Sequence, residues 1–242
     1  MPRKRALIDD TLSRQRLLVL APHADDETIG AGGLIARVKA AGGSAFVLVF
    51  SVGDLRHWDG TKHSVAGATR IDELADAMKV LRVDDFEVVY NDPGLTLRLD
   101  TLPRIDLVSL IEREARLATS KVLPTMIVLP APSYNQDHEA VFHAGIAACR
   151  PHLASFKPFQ SVVLVADAPQ LAWGAYPFRP NLYVDISHVL ELKLRAYRCH
   201  RSQMRPSPHQ SGEDTLRLLA ETRGREISIR AAEAFECLRW VL

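Results

Sequence analysis

Six short apolar runs mark the chain: "RLLVLAP" (16–22), "SAFVLVFSV" (44–52), "FEVVY" (86–90), "TMIVLPAP" (125–132), "SVVLVADA" (161–168) and "NLYVDIS" (181–187). Continuous apolar runs of this length predict strands covered on both faces. Between most of them the spacing turns helical. Leu34, Ile35 and Val38 fall on one face of "GLIARVKAA", and Ile71, Leu74, Ala75 and Met78 share a face over 70–81. Helices are also predicted over 105–118, 137–149 and 191–203, and the last forty residues read as helical with a polar break. Strand and helix in alternation imply βαβ units, hence an α/β fold with a mostly parallel sheet. No composition shift, repeat or low-complexity tract interrupts the chain, so one domain over 1–242 is the simplest account. Two connections are long, 53–69 and 169–180. The second carries Trp173, Tyr176 and Phe178, aromatics that either line a pocket or pin the loop to the body.

Composition narrows the functional classes. Apolar residues make up 47% of the 242 and charged residues 24%, the balance of a globular protein with a substantial core. Thirty basic residues against 29 acidic ones leave a formal charge of +1, which argues against broad nucleic-acid binding. The basic start, "MPRKR", reads as a solvated tail. No apolar run approaches the roughly 18 residues of a membrane span, and "ALIDDTLSRQ" is too polar for a signal-peptide core. Cys149, Cys199 and Cys237 form no CxxC pair, and their odd number fits a reducing compartment. A cytoplasmic protein without membrane contact is expected; the sequence leaves monomer and homo-oligomer open.

The chemistry concentrates in two loops. "APHADDETIGAGG" (21–33) places His23, Asp25, Asp26 and Glu27 just past the first strand, and Asn135, Asp137 and His138 lie just past the fourth. In an open parallel sheet, ligands bind at the carboxyl ends of the strands, so the two clusters are expected to meet. Clustered carboxylates repel unless a cation holds them. A catalytic zinc takes three protein ligands, and His23, Asp26 and His138 supply two imidazoles and one carboxylate. Iron(II) could occupy the same ligands. Asp25, pointing elsewhere than Asp26, is then placed as a general base for a water that the metal has acidified. The competing account of the acids is helix capping, which explains one of them but not the run with His23. Asp137 is equally suited to capping the next helix, Asp54 reads as a turn residue, and Asp185 as a cap.

Gly30, Gly32 and Gly33 allow the next helix to approach the sheet closely. "GAGG" lacks the G-x-G-x-x-G spacing, and the acids would repel a pyrophosphate, so a dinucleotide site is rejected. "HEAVFH" (138–143) has one residue too many for H-E-x-x-H. His143 falls roughly 140° around the helix from His138, too far to share its metal.

These residues resemble the PIG-L (LmbE-like) family of metal-dependent N-deacetylases. "PHADDE" (22–27) is similar to its PHPDDE-type motif, with Ala24 in the place of a proline, and "NQDH" (135–138) to its HxDH-type motif. The resemblance continues through "SVGD" (51–54), Arg70, "NLYVDIS", "HRSQ" (200–203) and "AAEAF" (231–235). It implies a Rossmann-like three-layer sandwich and a zinc held by His23, Asp26 and His138, with Asp25 as base. It implies an N-acetylated amino sugar as the small-molecule substrate, with acetate and free amine as products. Arg70 matches a family arginine near the substrate, and Asp137 a carboxylate that orients a histidine. One position departs: Asn135 stands where the family often has histidine. An amide can donate to an oxyanion but cannot deliver a proton. Either Asp25 acts as base and then acid, or His57, His63 or His200 substitutes. An amide hydrolase for a non-sugar natural-product intermediate would use the same site. A metal- or sugar-binding protein that has lost catalysis is the other reading.

Overall fold

The computed structural model describes residues 10–56 and 64–241. Each apolar run becomes a strand: β1 (Arg16–Ala21), β2 (Ser44–Ser51), β5 (Asp85–Tyr90), β6 (Met126–Pro130), β7 (Val162–Ala166) and β8 (Leu182–Asp185). Two short strands, β3 (Leu55–Arg56) and β4 (Ser64–Val65), form a separate antiparallel ribbon within the first long connection. The main sheet has seven strands in the order β5-β2-β1-β6-β7-β9-β8. The five from β5 to β7 run parallel, as the alternating pattern requires.

Side chains of β1 alternate between two apolar layers. Leu17, Val19 and Ala21 pack with Leu34, Ile35 and Val38 of α1 (Asp26–Ala41) and with Leu74 and Met78 of α2 (Gly67–Leu81). Leu18 and Leu20 face the other way, onto Leu107 of α3 (Arg104–Ser109), Ile111, and Val141 and Ala144 of α5 (Gln136–Ala148). A strand's period of two thus fills both faces of a three-layer α/β/α sandwich.

The carboxyl-terminal region differs from the expectation of continuous helix. After α6 (Leu190–Tyr197) the chain turns, forms α7 (Glu213–Glu226), and ends in strand β9 (Ala232–Trp240). β9 runs antiparallel to both β7 and β8. Its alanines and glutamates favour helix intrinsically; pairing on both sides overrides that preference. The helix predicted to reach residue 203 stops at Tyr197, because His200 and Ser202 are drawn into polar contacts described below. The helix predicted over 105–118 is also shorter. It passes through one wide turn at Leu110–Glu114 and ends where the Arg116 and Leu117 amides donate to the Glu87 carboxylate at 3.0 and 2.7 Å. A short helix, α4 (Thr119–Val122), follows.

Helix α1 is seated closely against the sheet. A β-carbon on Gly30 would lie 2.9 Å from Cβ of Ala166, and one on Gly33 2.5 Å from Cγ2 of Ile186. Buried Glu233 of β9 accepts from the amides of Gly33 (2.6 Å) and Leu34 (2.7 Å). Lys193 bridges Glu233 (2.7 Å) to the carbonyl of Ile29 (2.7 Å), the acceptor Gly33 would use in an ordinary helix. A buried ion pair is therefore wedged into the middle of α1 and fixes the helix whose first turn carries the acidic cluster.

In the second long connection, Tyr176 hydrogen-bonds Glu236 and packs edge-on against Phe142, and Phe178 lies under the Arg223 guanidinium. Those two aromatics pin the loop. Trp173 is 82% exposed. No helix among the described residues is long and apolar enough to cross a membrane.

Candidate metal centre

The two loops meet at the carboxyl ends of β1 and β6. Nδ1 of His23 lies 3.4 Å from Oδ2 of Asp26, and Nε2 of His138 lies 3.3 Å from the same oxygen. Ligand atoms of the three residues all fall within 4.8 Å of one another. For bonds of about 2.0–2.1 Å, the corners of a tetrahedral zinc site are roughly 3.3–3.4 Å apart, so the two imidazole–carboxylate separations fit such a cation. His143, by contrast, is exposed on the far side of α5.

His23 is oriented from behind. Nε2 of His23 meets Oδ2 of fully buried Asp137 at 2.8 Å, which leaves Nδ1 for the site. The other oxygen of Asp137 accepts the Leu99 amide at 2.8 Å. This is the carboxylate–histidine arrangement that fixes ring orientation at metal sites. Asp137 is not the helix cap: that position is Asn135, whose Oδ1 accepts the Asp137 amide at 3.0 Å. Capping settles the amide's orientation and leaves its NH2 group as a donor.

Asp25 sits at the N-cap position of α1, yet its side chain makes no capping hydrogen bond. Its carboxylate is not consumed by the helix. Its backbone takes φ 114°, a left-handed conformation costly for a residue with a β-carbon. The Asp25 amide donates to Oε2 of Glu27 at 2.9 Å. Glu27, wholly buried, accepts from the Thr28 hydroxyl at 2.6 Å and pairs with Nε2 of His200 at 3.0 Å. Glu27, for which the sequence gives a supporting role but no geometry, therefore braces its neighbour.

Electrostatics separate the adjacent carboxyls. Burial, then the charge of Asp26, lifts Asp25 to about 7, against the pull of His200. Burial also opposes the charge on Asp26, but His138 and His23 outweigh it and hold Asp26 well below the usual carboxylate range. His23 is pushed down by burial and more strongly up by Asp137 and Asp26, to about 9. In the absence of metal a proton therefore stands in for the cation. Neighbouring groups whose affinities for protons are driven apart are the arrangement acid–base chemistry uses.

Arg70 lies on α2 and is 2% exposed. One terminal nitrogen donates to the Gly53 carbonyl at 3.0 Å, and Nε has no hydrogen-bond partner among the described residues. Burial lowers its pKa, and the charges of Asp25, Asp26 and Glu73 act to raise it. The buried face of α2 includes Arg70 and Glu73 beside Leu74 and Met78, whereas Ile71 and Ala75 are only half-buried. Asp54 accepts the Gly67 amide at 2.8 Å at the start of α2. Asp185 accepts the Ser187 amide at 2.9 Å in a turn ahead of α6. His57 and His63, like "MPRKR", lie outside the described residues.

A cleft reaches Asp26 and His138 between the ends of β6 and β7, walled by Pro130, Ala131, Ala166 and Ala168. Residues 18–149 match the family model of PIG-L, the GlcNAc-PI de-N-acetylases, over more than half of the chain. The chain belongs to the PIG-L family. This PIG-L chain is 28% identical over 230 residues to the diacetylchitobiose deacetylase of Thermococcus kodakarensis, covering 90% of this chain and 81% of the relative. It is 25% identical over 240 residues to the 1D-myo-inositol 2-acetamido-2-deoxy-alpha-D-glucopyranoside deacetylase of Thermomonospora curvata, covering 78% and 81%. Among solved structures, GalB, the 4-carboxy-2-hydroxymuconate hydratase of Pseudomonas putida KT2440, superposes with a TM-score of 0.72 at 20% identity, covering 93% and 97%. A hydratase on the same fold means that the site, not the fold, has to decide the reaction.

Glu73 carries a role that the sequence pattern does not announce, and Glu27 a supporting role whose geometry it does not give. The available signal was a glutamate three residues after Arg70, on the same face of an amphipathic helix.

Proposed function

We propose that this PIG-L chain is a metal-dependent N-deacetylase that hydrolyses the acetamide of an N-acetylated amino sugar to acetate and free amine. One observation carries the reading: two histidines and a carboxylate converge at zinc-like separations beside Asp25, an acid the helix does not use. His23, Asp26 and His138 are the proposed ligands, with zinc the preferred ion on this donor set. When bound, such a cation supplies Lewis acidity to the acetyl carbonyl and to an attacking water.

Asp25 takes the proton of that water. Burial raises Asp25 above the usual carboxylate range, a direction that suits a base that must also return the proton as an acid. Among the described residues Asn135 has none to give and His200 is turned onto Glu27, so Asp25 is the proposed donor of that proton to the leaving nitrogen. The free NH2 of Asn135 donates to the developing oxyanion. Arg70, whose buried Nε has no partner among the described residues, is the residue proposed to donate to a substrate hydroxyl or carbonyl. Walls of alanine fit a methyl group and disfavour longer acyl chains. A small soluble metabolite of the cytoplasm is the matching substrate class.

The test is acetate release from a panel of N-acetyl compounds, including N-acetylglucosamine, N,N'-diacetylchitobiose and non-sugar acetamides. It is run before chelation, after chelation, and after metal is restored. Loss and recovery of activity with metal are expected. Activity that survives complete metal removal would overturn the mechanism. Metal retention without acetate from any compound would favour the binding-protein reading that Asn135 raises.

A further inference from the structure

The "HRSQ" turn (200–203) has no part in the chemistry proposed above, yet buried His200 and half-buried Ser202 reach the two helices that carry it. His200 is 1% exposed and its Nε2 meets Oε1 of Glu27 at 3.0 Å. Two residues on, the Ser202 amide lies 3.0 and 3.2 Å from the two oxygens of Glu73, and its hydroxyl donates to Glu73 at 2.6 Å. Gln203 in turn donates to the Ser202 hydroxyl at 2.8 Å. Glu27 holds the Asp25 amide at 2.9 Å. Glu73 is 3% exposed and sits one helical turn after Arg70. Charged groups are rarely buried so completely unless each is satisfied; this one turn supplies the histidine partner of Glu27, beside Thr28 and the Asp25 amide, and the Ser202 donors of Glu73. The strained backbone of Asp25 needs such external support, because left alone it would relax.

We infer that the 200–203 turn is a two-armed positioning element: His200, through Glu27, holds Asp25 in its left-handed conformation, and Ser202, through Glu73, sets the helix turn that aims Arg70. The inference rests on the deacetylase reading, in which Asp25 moves the proton and Arg70 meets the substrate. The two arms are expected to separate kinetically. A misplaced base slows the chemical step, while a misplaced substrate donor weakens binding.

The test compares metal-loaded wild type with His200→Ala, His200→Gln, Glu27→Gln and Ser202→Ala. Measurements are kcat, KM, metal stoichiometry and amide hydrogen exchange. His200→Ala is expected to lower kcat about 10- to 100-fold, as loss of a supporting contact does at metal sites, with metal content intact. Exchange should quicken over 22–28 and not over α5. His200→Gln, which restores a donor near Nε2, and Glu27→Gln, which keeps an oxygen for the Asp25 amide, should recover most of the rate. Ser202→Ala should raise KM by about five-fold, the weight of one hydrogen bond, with kcat little changed. Equal loss in all four variants, tracking only thermal stability, would reduce the turn to a structural element. So would unaltered exchange over 22–28 in His200→Ala. If wild type itself releases no acetate, the deacetylase reading fails, and the exchange data still decide whether the turn holds Asp25.

Discussion

At the scale of single residues, Asp25 carries the sharpest expectation. Its carboxylate is free of capping and its pKa is lifted to about 7 by burial and by Asp26. Replacing it with Asn keeps the volume and removes the base. Asp25→Asn should retain metal and lose about 100- to 10,000-fold in kcat, read by acetate release beside metal stoichiometry. A pH profile gives the sign independently. Only the ionised form accepts a proton, so kcat/KM rises with pH through the pKa of Asp25. The bound cation favours ionisation, which places that rising limb below 7 in the loaded enzyme. A residual activity of Asp25→Asn with the same limb would assign the base elsewhere. The convergence of His23, Asp26 and His138 was legible in the sequence because acids crowded at a strand end beside a histidine repel one another until a cation joins them. The geometry of Glu27 and the role of Glu73 were not. A lone glutamate in a helix reads as solvated, and nothing local records that a distant turn returns to cover it.

Elements were legible where the pattern of burial is local and illegible where pairing decides. Strands β1, β2, β6 and β7 declare themselves as apolar runs because helices cover both their faces. β9 did not, since "AEAFECLRW" holds helix formers and acquires its conformation only between β7 and β8. Its Glu233 also reaches back into α1, and this makes the seat of α1 testable. Adding a methyl at Gly33 puts it 2.5 Å from Ile186 and 2.9 Å from Glu233. Gly33→Ala should destabilise by about 1–3 kcal/mol, measured by urea unfolding, because overpacking displaces a hydrogen-bonded ion pair. Unchanged stability would mean that the close seat of α1 is not required. The loop at 169–180 gives the opposite case. Tyr176 and Phe178 anchor it, while the backbone at Gly174 lies against Ser133 and Tyr134, next to the metal-site loop. Trp173 is exposed, and its substitution tests whether this loop meets a second sugar ring. Trp173→Ala should raise KM for N,N'-diacetylchitobiose and leave both the N-acetylglucosamine KM and the thermal midpoint unchanged. Equal effects on the two sugars would remove the loop from specificity.

For the whole molecule, the sheet brings together residues more than a hundred positions apart, as the His23–Asp137 contact shows. What metal changes is how stability responds to pH. In the metal-free protein His23 titrates at about 9 against 6.5 for an exposed histidine. Between those values the folded state holds a proton that the unfolded chain has lost. The stabilisation is therefore complete below 6.5 and disappears as pH rises through 9. Asp25, raised from 3.8 to about 7, acts in the same direction over a lower range. Asp26 is depressed and acts oppositely, but only in acid, where its stabilisation is lost as pH falls. The metal-free protein should consequently lose on the order of 1 kcal/mol per pH unit between 6.5 and 9 from His23 alone. For a chain of this size that lowers the thermal midpoint by a few degrees per unit. Saturating zinc replaces the proton on the site and should remove most of the slope, since metal binding releases protons from its ligands. His23→Gln without metal has no such group and should show the shallow dependence of the remaining surface charges. A metal-free His23→Gln protein with the same slope as wild type would place the titration outside the site, and with it the argument that a proton occupies the cation's position.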